Sequence, residues 1–111
     1  MYSSALVTTP DAATAERIAL ELVESKLAAC DNWFPVASAY RWKGKIERER
    51  EYLLILKIRS EDFAAVSEAI AKVHPYEVPC IVRYDIADGF PPYLDWIRES
   101  TERRGEDSAR R

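Results

Sequence analysis

The chain has 111 residues, 48% of them hydrophobic, with a formal net charge of −3 at pH 7. This length allows one domain with a real core, and the small net charge with scattered basic residues gives no footprint for nucleic acid. Two cysteines, Cys30 and Cys80, are too few for a disulfide scaffold; they predict free thiols and, with no signal-like or membrane-length apolar run, a cytoplasmic protein without a membrane partner.

The first predicted elements are a short strand and an amphipathic helix. Residues 5–9 (ALVTT) form the strand, which ends at Pro10. Thr9 is suited to cap the helix that follows, with Pro10 as its first residue. Apolar side chains then recur at three- and four-residue steps to about Lys26, which predicts a helix with one packed face.

A long β-hairpin is predicted next, with Gly44 in its tight turn. Residues 33–42 form its first strand, the charged residues 46–51 project into solvent, and residues 52–58 (YLLILKI) form a strand that is apolar on both faces except at Lys57. Two helices can cover only one face of the resulting sheet. The other face therefore needs a partner, and further copies of the same chain are the natural candidates.

The second half of the chain repeats the alternation of helix and strand. Ser60 is predicted to cap a second helix, which must stop before Pro75 because proline cannot continue it. Residues 80–86 alternate as a last strand, and Pro91 and Pro92 begin a final helix.

This order, β-α-β-β-α-β with an added C-terminal helix, predicts the α+β ferredoxin-like sandwich. A single domain over residues 1–102 accounts for all the patterned elements, and the charged residues 103–111 are predicted to be a disordered tail.

Residues 74–79 (HPYEVP) are the first candidate for a functional site. They contain the only histidine, His74, next to Tyr76 and Glu77, and their two prolines favour extended backbone. The alternative is a helix-to-strand connector whose polar groups satisfy the local backbone. The sequence leaves both interpretations open.

Lys57 is the second candidate, because a cation in an apolar strand needs a carboxylate, a carbonyl or a ligand as its partner. Aromatic residues elsewhere could wall a cleft around it, although core and interface packing explains them equally well. The residues predicted for a cleft between subunits are Tyr40, Trp42, Lys57, His74, Tyr76, Glu77 and Trp96.

No catalytic constellation is recognisable, and the chain is predicted not to be an enzyme. The carboxylates of Glu47, Glu49 and Glu51 stand at alternate positions of a strand and therefore share one side of it. A solvated hairpin face is the simpler explanation for them than paired acid–base chemistry.

The motifs, taken together, resemble the CutA divalent-cation tolerance proteins from about residue 6 to residue 97. The resemblance implies a cytosolic homotrimer of ferredoxin-like protomers, associated with tolerance of copper and other divalent cations. The stretches that carry it are TTP (8–10), KLAAC (26–30), SAYRWKGKIE (38–47), LK (56–57), HPYEVP (74–79) and PYLDWI (92–97).

Some members of this family are credited with a copper site formed by a cysteine of the first strand and a histidine pair. The matching positions here are Val7 and Val73, and only His74 is retained. The predicted ligands are therefore His74, Cys30 and Glu77, which would hold copper or another divalent cation weakly, with no tightly bound cofactor.

A competing interpretation comes from the similar architecture of PII-type signalling trimers. It makes the chain a signalling or scaffold trimer that binds an anionic metabolite in its intersubunit clefts.

Overall fold

The structure is a computed structural model and describes residues 1–103. Of the tail predicted at 103–111, all but Arg103 lies outside the described residues. The elements are β1 (Tyr2–Thr9), α1 (Ala12–Glu24), β2 (Cys30–Trp42), β3 (Lys45–Arg59), a 3-10 turn (Ser60–Asp62), α2 (Phe63–Val73), β4 (Ile81–Asp85) and α3 (Pro91–Thr101).

The four strands form one antiparallel sheet in the order β2-β3-β1-β4, which confirms the predicted ferredoxin-like arrangement. Alternate residues of β1 and β3 point to the face that α1 and α2 cover, and there they form the core. The buried apolar residues of this core are Ala5, Val7, Ala15, Ile18, Ala19, Leu22, Ala28, Leu54, Leu56, Ile58, Val66 and Ile70.

The start of α1 differs from the sequence prediction. Asp11, and not Thr9, is the N-cap, because its carboxylate accepts a hydrogen bond of 2.8 Å from the backbone N–H of Thr14. Hydrogen bonding with Thr14 lowers the pKa of Asp11. Thr9 stays in β1, where its hydroxyl donates to the carbonyl of Tyr52 at 3.2 Å. The residue directly before the helix is therefore its cap, whereas Thr9 is held by the pairing of β1.

The second helix also begins later than predicted. Ser60 opens a 3-10 turn instead of capping α2, and its hydroxyl is 2.6 Å from that of Ser3. The helix ends at Val73, before Pro75, as predicted. The last strand, β4, is shorter than the predicted 80–86 by one residue at each end.

The β2–β3 hairpin extends well beyond the rest of the sheet. Its turn places Lys43 and Gly44 at positive φ angles of 50° and 81°, the backbone that a tight hairpin requires. Because β1 pairs only with residues 52–59 of β3, residues 45–51 pair with β2 alone. We call residues 36–51 the distal hairpin. It makes the described chain long, at 52 Å along its main axis.

Helix α3 contacts β3 and buries Ile97 and Thr101 outside the main core. The guanidinium of Arg59 donates a 2.8 Å hydrogen bond to the carbonyl of Thr101. Arg103 donates to the carbonyl of Lys26 at 2.7 Å and pairs with Asp62 at the same distance. These contacts tie the end of α3 to the end of α1 and to the start of α2.

Candidate functional site

A cavity of about 850 Å³ lies where the distal hairpin faces residues 75–80. One wall comes from residues 38–42 of β2 and from Glu47, Glu49 and Glu51 of β3, and the other from residues 75–80. A volume of this size is typical of sites for small molecules.

The geometry of β3 explains why three glutamates share this wall. Side chains at alternate positions of a strand point to the same face, about 7 Å apart along the strand. The sequence predicted their common side but assigned it to solvent. All three line the cavity; Glu49 is exposed, as predicted, whereas Glu51 is only 4% exposed.

Glu51 is held by the tyrosine of the opposite wall. The hydroxyl of Tyr76 donates a 2.7 Å hydrogen bond to Oε2 of Glu51. Burial raises the pKa of Tyr76 well above its ordinary value, and the bond to Glu51 raises it further. The phenol therefore remains a donor at physiological pH and joins the distal hairpin to residues 75–80.

His74 lies directly behind this tyrosine and is 8% exposed. Its Nδ1 accepts a 3.1 Å hydrogen bond from the backbone N–H of Tyr76, so the proton of a neutral ring is on Nε2, which donates to the carbonyl of Thr8 at 2.8 Å. Both ring nitrogens are thus engaged within the chain. A metal ion could bind this imidazole only by displacing one of the two bonds.

The cavity is strongly negative. Its lining contains four carboxylates, those of Glu47, Glu49, Glu51 and Glu77, and one guanidinium, that of Arg41, which gives a formal charge of −3 when all are ionised. Such a lining attracts cations and repels anions.

The predicted cleft residues separate into two groups within one chain. Tyr40, Trp42, Tyr76 and Glu77 line the cavity, and His74 contacts the backbone of Tyr76 from outside the lining, whereas Lys57 and Trp96 do not line it. Cys80, for which the sequence suggested no role in a site, does line it.

The second group gathers near α3. Lys57 stands opposite Cys30 in the β2–β3 register. Burial and the neighbouring Cys30 raise the pKa of Tyr93, whose ring centroid is 5.4 Å from that of Trp96. A cleft around Lys57 and a site around His74 are therefore two separate places within the chain.

The structure brings no ready-made metal centre together. Among residues 1–103 no group of three histidine, cysteine, aspartate or glutamate side chains is placed to hold an ion. The two thiols are free, as predicted, and Cys30 belongs to one edge strand while Cys80 precedes the other.

Asp31 is an unusual group that the sequence prediction missed. It follows Cys30 on β2, and both of its carboxylate oxygens are buried without a hydrogen-bond partner among the described residues. Burial raises its pKa from 3.8 to about 8, although the charge of Lys57 acts in the opposite direction. The signal in the sequence was an acid two residues before Trp33, on the same side of one strand.

Comparison with known proteins decides the family. The model of the CutA1 divalent ion tolerance protein matches residues 3–100. The chain belongs to this family. In the described CutA1 chain, no helix is both long and apolar enough to cross a membrane.

CutA proteins from distant organisms are similar over most of the chain. The divalent-cation tolerance protein CutA of Archaeoglobus fulgidus is 45% identical over 102 residues, which are 92% of this chain and all of that protein. Its structure, described as that of a periplasmic divalent cation tolerance protein, matches with a TM-score of 0.91. The Thermus thermophilus CutA1 structure matches with 43% identity and a TM-score of 0.89, covering 92% of this chain and all of that one.

Animal relatives are longer. Mouse protein CutA is 44% identical over 101 residues, which are 90% of this chain but 57% of the mouse protein. The chain therefore spans little more than half the length of the mouse protein.

Proposed function

We propose that this CutA1 chain acts in divalent-cation tolerance as a cytoplasmic, non-enzymatic homotrimer that binds copper or another divalent cation weakly in the cavity. The observation that carries the proposal is the formal charge of −3 on the lining of a cavity large enough for a ligand. Family membership gives the link to divalent cations, and the cavity gives a place where they can act.

Weak binding follows from the donors that the cavity offers. Carboxylate oxygens bind divalent cations with little selectivity, in contrast to the thiolates and imidazoles that copper prefers. One carboxylate, Glu51, is already engaged by Tyr76, and His74 uses both ring nitrogens. Glu77, Glu47 and Glu49 are therefore the proposed ligands. Because no three such donors of residues 1–103 are placed to hold one ion, we expect each carboxylate to bind a cation with water as its other ligands, and Cys30 lies outside the cavity.

Unpaired strand edges and exposed apolar side chains in the described part of the chain support assembly as a trimer. Residues 45–51 of β3 pair on one side only, and β2 and β4 both have free edges. Large apolar side chains are also exposed, Ile46 at 60% and Tyr84 at 62% among them. Strand addition by neighbouring copies satisfies the edges and covers apolar surface at once.

The same lining argues against the anionic-metabolite alternative. An anion in the cavity would face four carboxylates and one guanidinium, and Lys57, the cation expected to bind it, is not among the lining residues. Like charges placed together cost free energy, most of all where water is excluded.

Calorimetric titration of the tag-free protein with copper(I), copper(II) and zinc tests the metal proposal. We expect binding in the micromolar range or weaker, reduced at least tenfold by the double variant Glu49→Gln, Glu77→Gln. Glu24→Gln, which neutralises an exposed carboxylate of α1, is the matched control and should leave binding unchanged. Tight binding that is abolished by His74→Ala or by Cys30→Ser contradicts the proposed site.

Native mass spectrometry tests the assembly. A mass three times that of the 12.7 kDa chain is expected. A stable monomer at micromolar concentration contradicts the trimer, because it would leave the strand edges and the apolar surface uncovered.

A further inference from the structure

The cavity has more room and more apolar wall than a bare metal ion uses. Its volume of about 850 Å³ is that of a small-molecule site, and the aromatic side chains of Tyr40, Trp42 and Tyr76 form part of its lining. A ligand that fills it must offer positive charge to the glutamates and apolar surface to these rings.

The rings themselves attract ammonium groups. The Nζ atom of Lys43 lies 5.6 Å from the centroid of the Trp42 ring, which is the arrangement of a cation–π contact. The chain thus shows, within its own turn, that the Trp42 ring is placed to attract an ammonium group.

The glutamates set the spacing of the charges. Alternate positions on β3 put Glu47 and Glu49 about 7 Å apart along the strand. Desolvation raises the pKa of Tyr40, and the nearby carboxylate of Glu49 raises it further. A carboxylate has two oxygens and about four acceptor positions, so Glu49 can accept hydrogen bonds from a ligand.

We infer that the cavity takes a linear organic diammonium ion, whose two charges pair with successive β3 glutamates and whose methylene chain packs on the aromatic wall. The inference rests on the proposed cation site and names the ligand class for it. Divalent metal ions then compete for the same carboxylates, so their binding depends on whether the organic cation is present.

Titration with matched amines tests this selectivity. The probes are 1,4-diaminobutane, the shorter 1,2-diaminoethane and the single-charged 1-aminobutane, each added to the intact protein at low ionic strength. We expect 1,4-diaminobutane to bind at least tenfold more tightly than either comparison amine. Glu47→Gln should remove most of this advantage, whereas Glu24→Gln, remote on α1, should keep it. Equal affinities for the three amines, or no amine binding, overturn the inference.

Zinc separates this inference from the proposed function. If zinc binds and the diamine does not, the diammonium inference is wrong and the metal site stands. If the diamine binds selectively and zinc neither binds nor displaces it, the metal proposal is wrong and the diammonium site stands without competition. If the wild-type protein binds neither zinc nor the diamine, both proposals are wrong. Displacement of the diamine by zinc supports both proposals.

Discussion

Two carboxylates of the same hairpin, Glu51 and Asp31, differ in whether a hydrogen-bond donor reaches them. Glu51, at the inner end of the distal hairpin, receives the hydroxyl of Tyr76 at 2.7 Å. Asp31, at the start of β2, has both oxygens buried with no such donor among the described residues. The pKa of Asp31 rises to about 8 because burial disfavours its charged form.

A buried carboxylate with a hydrogen-bond donor can contribute to a site, whereas one without a donor destabilises the folded chain when it is ionised. The partnered carboxylate joins two walls of the cavity through its hydrogen bond with Tyr76. The unpartnered one is most stable when it is protonated, so it weakens the fold at the pH at which the cavity is negative.

Asp31→Asn is the change with the largest expected effect. The folded-state pKa of about 8 lies above the unfolded value near 3.8, so the folded chain binds more protons between these two values. The unfolding free energy of the wild type should therefore fall as pH rises from about 4 to about 8, by at most about 6 kcal/mol per chain. The Asn variant should lose this dependence and be the more stable protein at pH 8.

Guanidinium unfolding at pH 5 and pH 8 measures this difference. Glu24→Gln removes one exposed carboxylate and serves as the control, which should follow the wild type at both values. If the stability of the wild type and of Asp31→Asn depends equally on pH, the folded chain does not raise the pKa of Asp31.

His74→Ala should have the next largest effect, a loss of about 3 kcal/mol of stability. The change removes two hydrogen bonds and leaves the carbonyl of Thr8 without its donor near the start of residues 75–80. Thermal unfolding is the measurement, and His74→Gln, which can restore one donor and one acceptor, should recover part of the loss. Unchanged stability in the Ala variant would contradict the structural role of the imidazole.

Tyr76→Phe turns Glu51 into a second unpartnered carboxylate. Losing a hydrogen bond to a buried charged group should cost about 2 kcal/mol, with the ring itself retained. Tyr84→Phe removes a hydroxyl from a side chain that is 62% exposed and should change stability by less than about 0.5 kcal/mol. Equal unfolding midpoints for the two variants would indicate that the Tyr76–Glu51 bond contributes nothing.

Glu49→Gln should have the smallest effect on folding, within about 0.5 kcal/mol, because the side chain is exposed. Its effect on cation affinity should nevertheless be a clear reduction. The variant thus separates the function of the lining from the stability of the fold, by unfolding and binding measurements on the same sample.

The fold was largely predictable because local chemistry decides where several of its helices and strands end. Pro75 ends α2 wherever the helix packs, and Gly44 permits the tight turn of the hairpin. The order of strands followed from the element order and was confirmed. The cap of α1 was not predictable, because Thr9 and Asp11 are both good caps and only the pairing of Thr9 within β1 separates them.

The site was harder to predict because it depends on which elements face each other. Tyr76 and Glu77 line one cavity with Tyr40 and Trp42 within a single chain, whereas the sequence prediction placed all four in a cleft between subunits. Lys57 belongs to the same strand as the cavity glutamates but stands near Cys30, several residues away. Strand register and the length of the hairpin decide this separation, and neither can be read from composition or periodicity.

The cavity as a cation site is the central claim, and anomalous diffraction from zinc-soaked crystals tests it most directly. The account predicts anomalous peaks inside the cavity, at coordination distance from the carboxylates of Glu47, Glu49 or Glu77. Peaks on the thiol of Cys30 or on a ring nitrogen of His74, with none at the cavity carboxylates, would contradict it.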